Sequence, residues 1–157
     1  MTAKPPSASF TEMVQVVLPN DANPLGFILG GTVMHLIDMA GAIAAHRHTR
    51  CLLVTAAVDG LQFLHPIKIG DLIILRATVT ATFQTSLEVE VEVCSEGTLT
   101  GERKLTSRAF LTFAAVDRGG GHVRIPPLLL ETNEARAKAR DAEGRRAARL
   151  AARQKLS

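Results

Sequence analysis

Between Leu25 and Ala45 the chain runs almost without polar side chains; only Thr32, His35 and Asp38 interrupt it. The run is long enough to suggest a membrane span. A carboxylate at the centre of a spanning helix, however, costs roughly 2.5–3.5 kcal/mol on insertion scales. The segment also holds four glycines, Gly26, Gly30, Gly31 and Gly41. The expectation is therefore a buried core helix, opening at Gly30-Gly31-Thr32 and running to about His46, with no membrane insertion. A helix that is apolar nearly all round must be covered on every side.

What covers it is legible downstream, where the hydrophobic period changes to two. LLVTAAV (52–58) reads as a strand. A long strand follows over about 71–83, with Ile73, Leu75, Ala77, Val79, Ala81 and Phe83 expected on one face. SLEVEVEV (86–93) alternates without a fault, placing Leu87, Val89, Val91 and Val93 inward and Glu88, Glu90 and Glu92 on a solvated face. Residues 104–116 give a last strand, and TEMVQVVL (11–18) a first one. PNDANPLG (19–26) is turn chemistry between first strand and helix. The plan is α+β, an antiparallel sheet wrapped around one long central helix. One curved sheet covers only part of such a helix, so a partner subunit is expected to cover the rest.

With 157 residues, 46% of them apolar, the chain suits one domain with a core that needs no disulfide or metal. The net charge of +3 is unevenly spread. Residues 131–157 hold eight Lys/Arg against four Asp/Glu, leaving ten against eleven in the body. The basicity thus belongs to a C-terminal helix, expected to be solvated and partly frayed. Residues 1–10 read as a flexible arm, and 11–130 as the folded body. Trp and Tyr are absent and one strand face is acidic, which argues against a nucleic-acid platform. Cys51 and Cys94 lack metal-ligand spacing and no apolar signal segment opens the chain, so reduced, buried thiols in a cytoplasmic protein are expected.

The candidate chemistry centres on Asp38, because a carboxylate in an apolar helix is rare unless paired or functional. The bland reading is a structural Asp capping a neighbouring backbone. Asn23, in the turn before the helix, can orient a water or polarise a carbonyl, or can simply serve the turn; Asn20 competes with it. Gly30 and Gly31 at a helix start expose amides that suit a developing oxyanion, or they permit close packing. His35, one turn from Asp38, could form a His–Asp pair. His46 and His48 read as solvated cations at the helix end. No zinc, P-loop or GxSxG spacing occurs.

These pieces stand in a recognisable order. Asn23, Gly26, Gly30, Gly31 and Asp38 form N-x-x-G-x-x-x-G-G-x-x-x-x-x-x-D, followed by VTAAVDGLQFLHPIKIGD (54–71), QTSLEVEVEV (84–93) and RAFLTFAAVD (108–117). The set resembles the hotdog-fold acyl-CoA thioesterases related to brain acyl-CoA hydrolase and its bacterial single-domain counterparts, over about residues 11–150. That resemblance implies hydrolysis of acyl-CoA to free acid and CoA, in dimers with a continuous sheet and often trimers of dimers. It implies that the residues matching Asp38 and Asn23 meet across the dimer interface, and that the amide matching Gly31 holds the thioester oxygen. The implied CoA-contacting positions are Gly30, the strand Thr55, Ala56, Ala57 and Val58, the turn Thr85-Ser86, and the basic pair Arg145 and Arg146. No cofactor is implied, coenzyme A being part of the substrate. Phe27, where the family often has a polar residue, and Pro24 depart from the pattern. Two other readings remain at this point: a hotdog enoyl-CoA hydratase using an Asp/His pair, and a non-catalytic acyl-CoA-binding protein.

Overall fold

A computed structural model describes residues 1–156; Ser157, the end of the expected tail, lies outside the described residues. The chain forms β1 (Thr11–Val16), α1 (Gly30–Thr49), β2 (Leu52–Asp59), β3 (Leu72–Thr82), β4 (Ser86–Glu96), β5 (Arg103–Val116) and α2 (Asn133–Leu156). The strands make one antiparallel sheet in the order β1-β3-β4-β5-β2. The sheet wraps α1, as the alternation and the apolar run together demand. Val33, Ile37, Ala40 and Ala44 of α1 form one core with Leu75 and Val79 of β3, Leu87, Val89 and Val91 of β4, and Leu111 and Phe113 of β5. Gly41 permits this approach, since a Cβ there would stand 3.3 Å from the Phe113 ring. The helix stops where Arg50 turns left-handed, φ 54°, three residues beyond the expected end.

The expected faces fail at two places, for one reason each. A bulge in β3 between Val79 and Ala81 shifts the register by one residue. Ala81 and Phe83 therefore leave the α1 side and pack with Ala139, Ala142 and Leu130. The C-terminal helix is likewise not a solvated appendage. Its small-residue face, Ala139 and Ala142, is buried against the far side of the sheet. Four of its cations then find partners there. Lys138 pairs with Glu90, Arg149 with Asp59 at 2.8 Å, and Arg145 with Glu88 through Nε at 2.9 Å and Nη2 at 2.8 Å. Arg146 lies over the Phe83 ring, 4.5 Å from its centroid. Glu88, expected in solvent, is 2% exposed.

Three smaller expectations also change. Residues 1–10 make specific contacts: Lys4 bridges Leu128, and the buried Ser9 hydroxyl accepts the Val79 amide at 3.0 Å. His48 is buried, not solvated, with Nε2 2.8 Å from the Pro126 carbonyl and Nδ1 without a partner. Burial pushes its pKa below the ordinary imidazole value. Cys51 and Cys94 are free but half-buried. No helix among the described residues is long and apolar enough to cross a membrane.

Candidate active site

The site is built where the 19–29 turn hands the chain to α1. Asn23 organises that turn. Its Oδ1 accepts the amides of Leu25 at 3.0 Å and Phe27 at 3.2 Å, while its carbonyl accepts the Gly26 amide at 3.0 Å. Pro24 presets the first central position, and Gly26 takes the positive φ of 86° that closes it. The acceptor half of the Asn23 amide is thus spent on the fold, and its NH2 is left as a donor. Asn20 lies exposed in the preceding short 3-10 turn, away from the cavity that Asn23 lines.

Leu29 is the N-cap of α1 and offers no side-chain cap, so the first-turn amides at Gly30 and Gly31 are unsatisfied by side chains. Such amides, at the positive end of the helix dipole, suit a developing negative charge. Gly31 is exposed, and nothing would meet a Cβ there within 4 Å. The space above it is open to a ligand.

Asp38 lies two turns further along α1, about 10 Å by helical rise. Its side chain leans back toward the N-terminus as helical side chains do. It is half-buried, and its Oδ1 accepts the Thr55 hydroxyl of β2 at 2.7 Å. Gly31, His35, Asp38, Thr55 and Val58 together line a cavity of about 340 Å³, closed behind by Leu61 and Leu111. Sequence reasoning named Thr55 only as a CoA contact. Its hold on Asp38 needed the β2–β5 register, which puts Thr55 opposite the inward Phe113. His35 shares the cavity, but no hydrogen bond joins it to Asp38; the carboxylate is oriented by a threonine.

Asn23 lies elsewhere. With Phe27, Ile28, Val33, Phe63 and Ile67 it lines a second cavity of about 380 Å³ on the Gly30 side of the helix start. Within one chain Asn23 and Asp38 are therefore not brought together. Ala56 is the extra residue of a bulge between Thr55 and Ala57 on the free edge of the sheet.

The remaining CoA candidates divide. Thr85 and Ser86 form the β3–β4 turn, where the Ser86 carbonyl accepts the Phe83 amide. Arg146, stacked on Phe83, stands at this same turn and has no carboxylate partner among the described residues. Arg145 is different. Its guanidinium is doubly bonded to Glu88, which raises its pKa further, and it covers the Phe110 ring at 3.6 Å. It holds α2 to the sheet. No three His, Cys, Asp or Glu side chains gather to hold a metal among the described residues.

A model of the thioesterase superfamily matches residues 25–102. An uncharacterised acyl-CoA thioester hydrolase of Bacillus subtilis is 42% identical over 118 residues, covering 75% of this chain and 69% of that protein. The cytosolic acyl coenzyme A thioester hydrolase of Homo sapiens is 35% identical over 76% of this chain, which spans only 34% of that longer protein. Among solved structures, an apo-hexameric acyl-CoA thioesterase has a TM-score of 0.90 at 38% identity, covering 95% of this chain and 96% of its own. An acyl-CoA hydrolase from Staphylococcus aureus, solved with butyryl coenzyme A and coenzyme A, has a TM-score of 0.86 at 31% identity, covering 98% and 96%. Alanine variants of that hydrolase replace one Asn, one Asp and one Thr, the Asn fifteen positions before the Asp and the Thr seventeen after it. Asn23, Asp38 and Thr55 have the same spacing. Fold, motif order and these likenesses agree, and the chain belongs to the thioesterase superfamily, among its hotdog-fold acyl-CoA thioester hydrolases.

Proposed function

We propose that this chain hydrolyses acyl-CoA thioesters to free fatty acid and CoA, with Asp38 as the residue that acts on water or on the thioester itself. One observation carries the reading: a half-buried carboxylate, aimed by Thr55, shares a cavity with the uncapped amides of a helix start. The thioester oxygen would sit at the Gly31 amide, where the charge of a tetrahedral intermediate is stabilised. Asp38 would take the proton of the attacking water. The C–S bond then breaks, and the CoA sulfur leaves with the electron pair and acquires a proton. No cofactor enters this balance.

Asn23 would complete the site from a second subunit. Its free NH2 suits a donor to water or carbonyl, and its equivalence in spacing to the substituted Asn of the Staphylococcus aureus hydrolase supports the role. The free β2 edge supports a dimer with a continuous sheet, and the hexameric relative supports a trimer of such dimers. Gly30, Thr55 to Val58, the Thr85-Ser86 turn and Arg146 would contact CoA. Arg145 would act there chiefly by positioning α2. A cytoplasmic location is supported by the free thiols and by the cytosolic human relative.

The test follows CoA release with a thiol reagent over acyl chains from acetyl to palmitoyl. Wild type is expected to turn over part of this panel. Asp38→Asn, isosteric with the native side chain, is expected to lose at least two orders of magnitude in kcat with an unchanged melting temperature. Near-normal release by Asp38→Asn would overturn the assignment.

A further inference from the structure

We propose that Phe63 is a specificity residue that sets the acyl-chain length, by forming one wall of the groove that receives the chain. The inference rests on the thioesterase reading and extends it to a surface that reading leaves unassigned. Phe63 belongs to the 60–71 segment between β2 and β3, which is neither helix nor strand. Two backbone bonds tie that segment down beside it: the Leu64 amide to the Thr106 carbonyl, and the Ile28 amide to the Ile67 carbonyl, both 2.8 Å. The ring rests on the first residue of α1. A Cβ on Gly30 would stand 3.4 and 3.5 Å from two of its carbons. Yet the side chain is 52% exposed, with Leu29 beside the same helix start also exposed.

A phenyl ring held at a fixed place and half out in water is unfavourable by the area it leaves uncovered. Here it fronts the cavity that Phe27, Ile28, Val33 and Ile67 continue and Asn23 borders. The occupant follows from continuity. A carbonyl held by the first-turn amides of α1 projects its acyl carbons past Gly30, and the surface next to Gly30 is the Phe63 ring. Beyond the ring the walls are mainly hydrocarbon. A hydrocarbon chain attached to that carbonyl fits the walls made by Phe27, Ile28, Val33, Phe63 and Ile67, with Asn23, His65, Thr106 and Ser107 as the polar members of the same lining. The bulk of the ring then decides how far the chain can go.

The probes are non-hydrolysable S-alkyl-CoA thioethers with butyl, octyl and dodecyl chains, their affinities measured by calorimetry for wild type, Phe63→Ala, Phe63→Leu and Phe63→Trp. Each methylene that gains burial is worth about fourfold in affinity. Removing the ring is expected to raise the dodecyl-to-butyl affinity ratio at least tenfold, Phe63→Leu to raise it less, and Phe63→Trp to lower it. Ratios within twofold of wild type in all folded variants would overturn the proposal, as would failure of wild type to bind any thioether. The two readings separate cleanly. A wild-type protein that binds the thioethers with the expected profile but hydrolyses no acyl-CoA refutes the catalytic reading alone. Hydrolysis with a ratio insensitive to Phe63 refutes the groove alone.

Discussion

The two halves of the Asn23 amide are engaged differently. The carbonyl oxygen holds the turn through Leu25 and Phe27, and the NH2 is the donor to which the proposed catalytic role is given. Truncation to Ala would confound the two, because it removes the turn acceptor and the donor at once. Asn23→Asp separates them. A carboxylate keeps the acceptor for both amides and lacks the N–H donor. The expected outcome is an unchanged melting temperature with kcat lowered about 10- to 100-fold, in the range for loss of one positioned donor. A variant with full turnover would reduce Asn23 to a turn residue. At this scale the sequence singled out Asp38 and Asn23 as candidates and was silent about which groups hold them in place. Asp38 stood out because a carboxylate is out of place in an apolar helix. Thr55 did not, because an exposed-looking threonine in a strand has no signature until the register sets it opposite Phe113.

Among the elements, α2 departs most from what its composition suggests. Its mean hydropathy is low, and only Leu150 and Leu156 are large and apolar. A face made of alanines leaves no periodic signal of the usual strength, and the glutamates that receive its cations alternate as a solvated strand face would. The signal that could have found the contact is the match between the two: a row of Glu88, Glu90 and Glu92 on a strand, and cations at helical spacing on a later helix. Glu88 is the buried member, its Oε1 also accepting the Thr80 hydroxyl at 2.6 Å. Breaking a buried pair strands the other charge, whereas replacing both partners by apolar groups is often neutral. Glu88→Gln is therefore expected to cost about 2–3 kcal/mol, somewhat less than the roughly 3–5 kcal/mol of a fully buried pair because Arg145 is 26% exposed. The double variant Glu88→Leu/Arg145→Met is expected to return to within about 1 kcal/mol of wild type. Urea denaturation at a fixed protein concentration reads both. Additive losses in the double variant would show that the two side chains contribute separately.

For the whole molecule, a single chain leaves apolar surface open along one flank. The sheet ends in β2, whose outer edge is unpaired and where Leu52, Val54 and Val58 are exposed, and the α1 flank presents Met34, Met39 and Ile43 to solvent. The sequence anticipated this in general form, since a helix apolar nearly all round outruns what one sheet can cover. It could not say which flank stays open; that depends on strand order. The open flank is the one carrying Asp38, and Asn23 of the same chain lines a different cavity. If each site takes Asp38 from one subunit and Asn23 from its partner, two inactive chains can restore each other. In a two-fold dimer, an Asp38→Asn chain beside an Asn23→Asp chain carries one doubly substituted site and one wholly native site. Random reassortment makes half the dimers mixed, so about a quarter of all sites become native. Co-refolded or co-expressed variants are expected to regain up to about a quarter of wild-type turnover, while each alone stays near its own residual rate. If both residues act within one chain, every site in every mixture keeps a lesion, and activity in the mixture stays at the mean of the two parents.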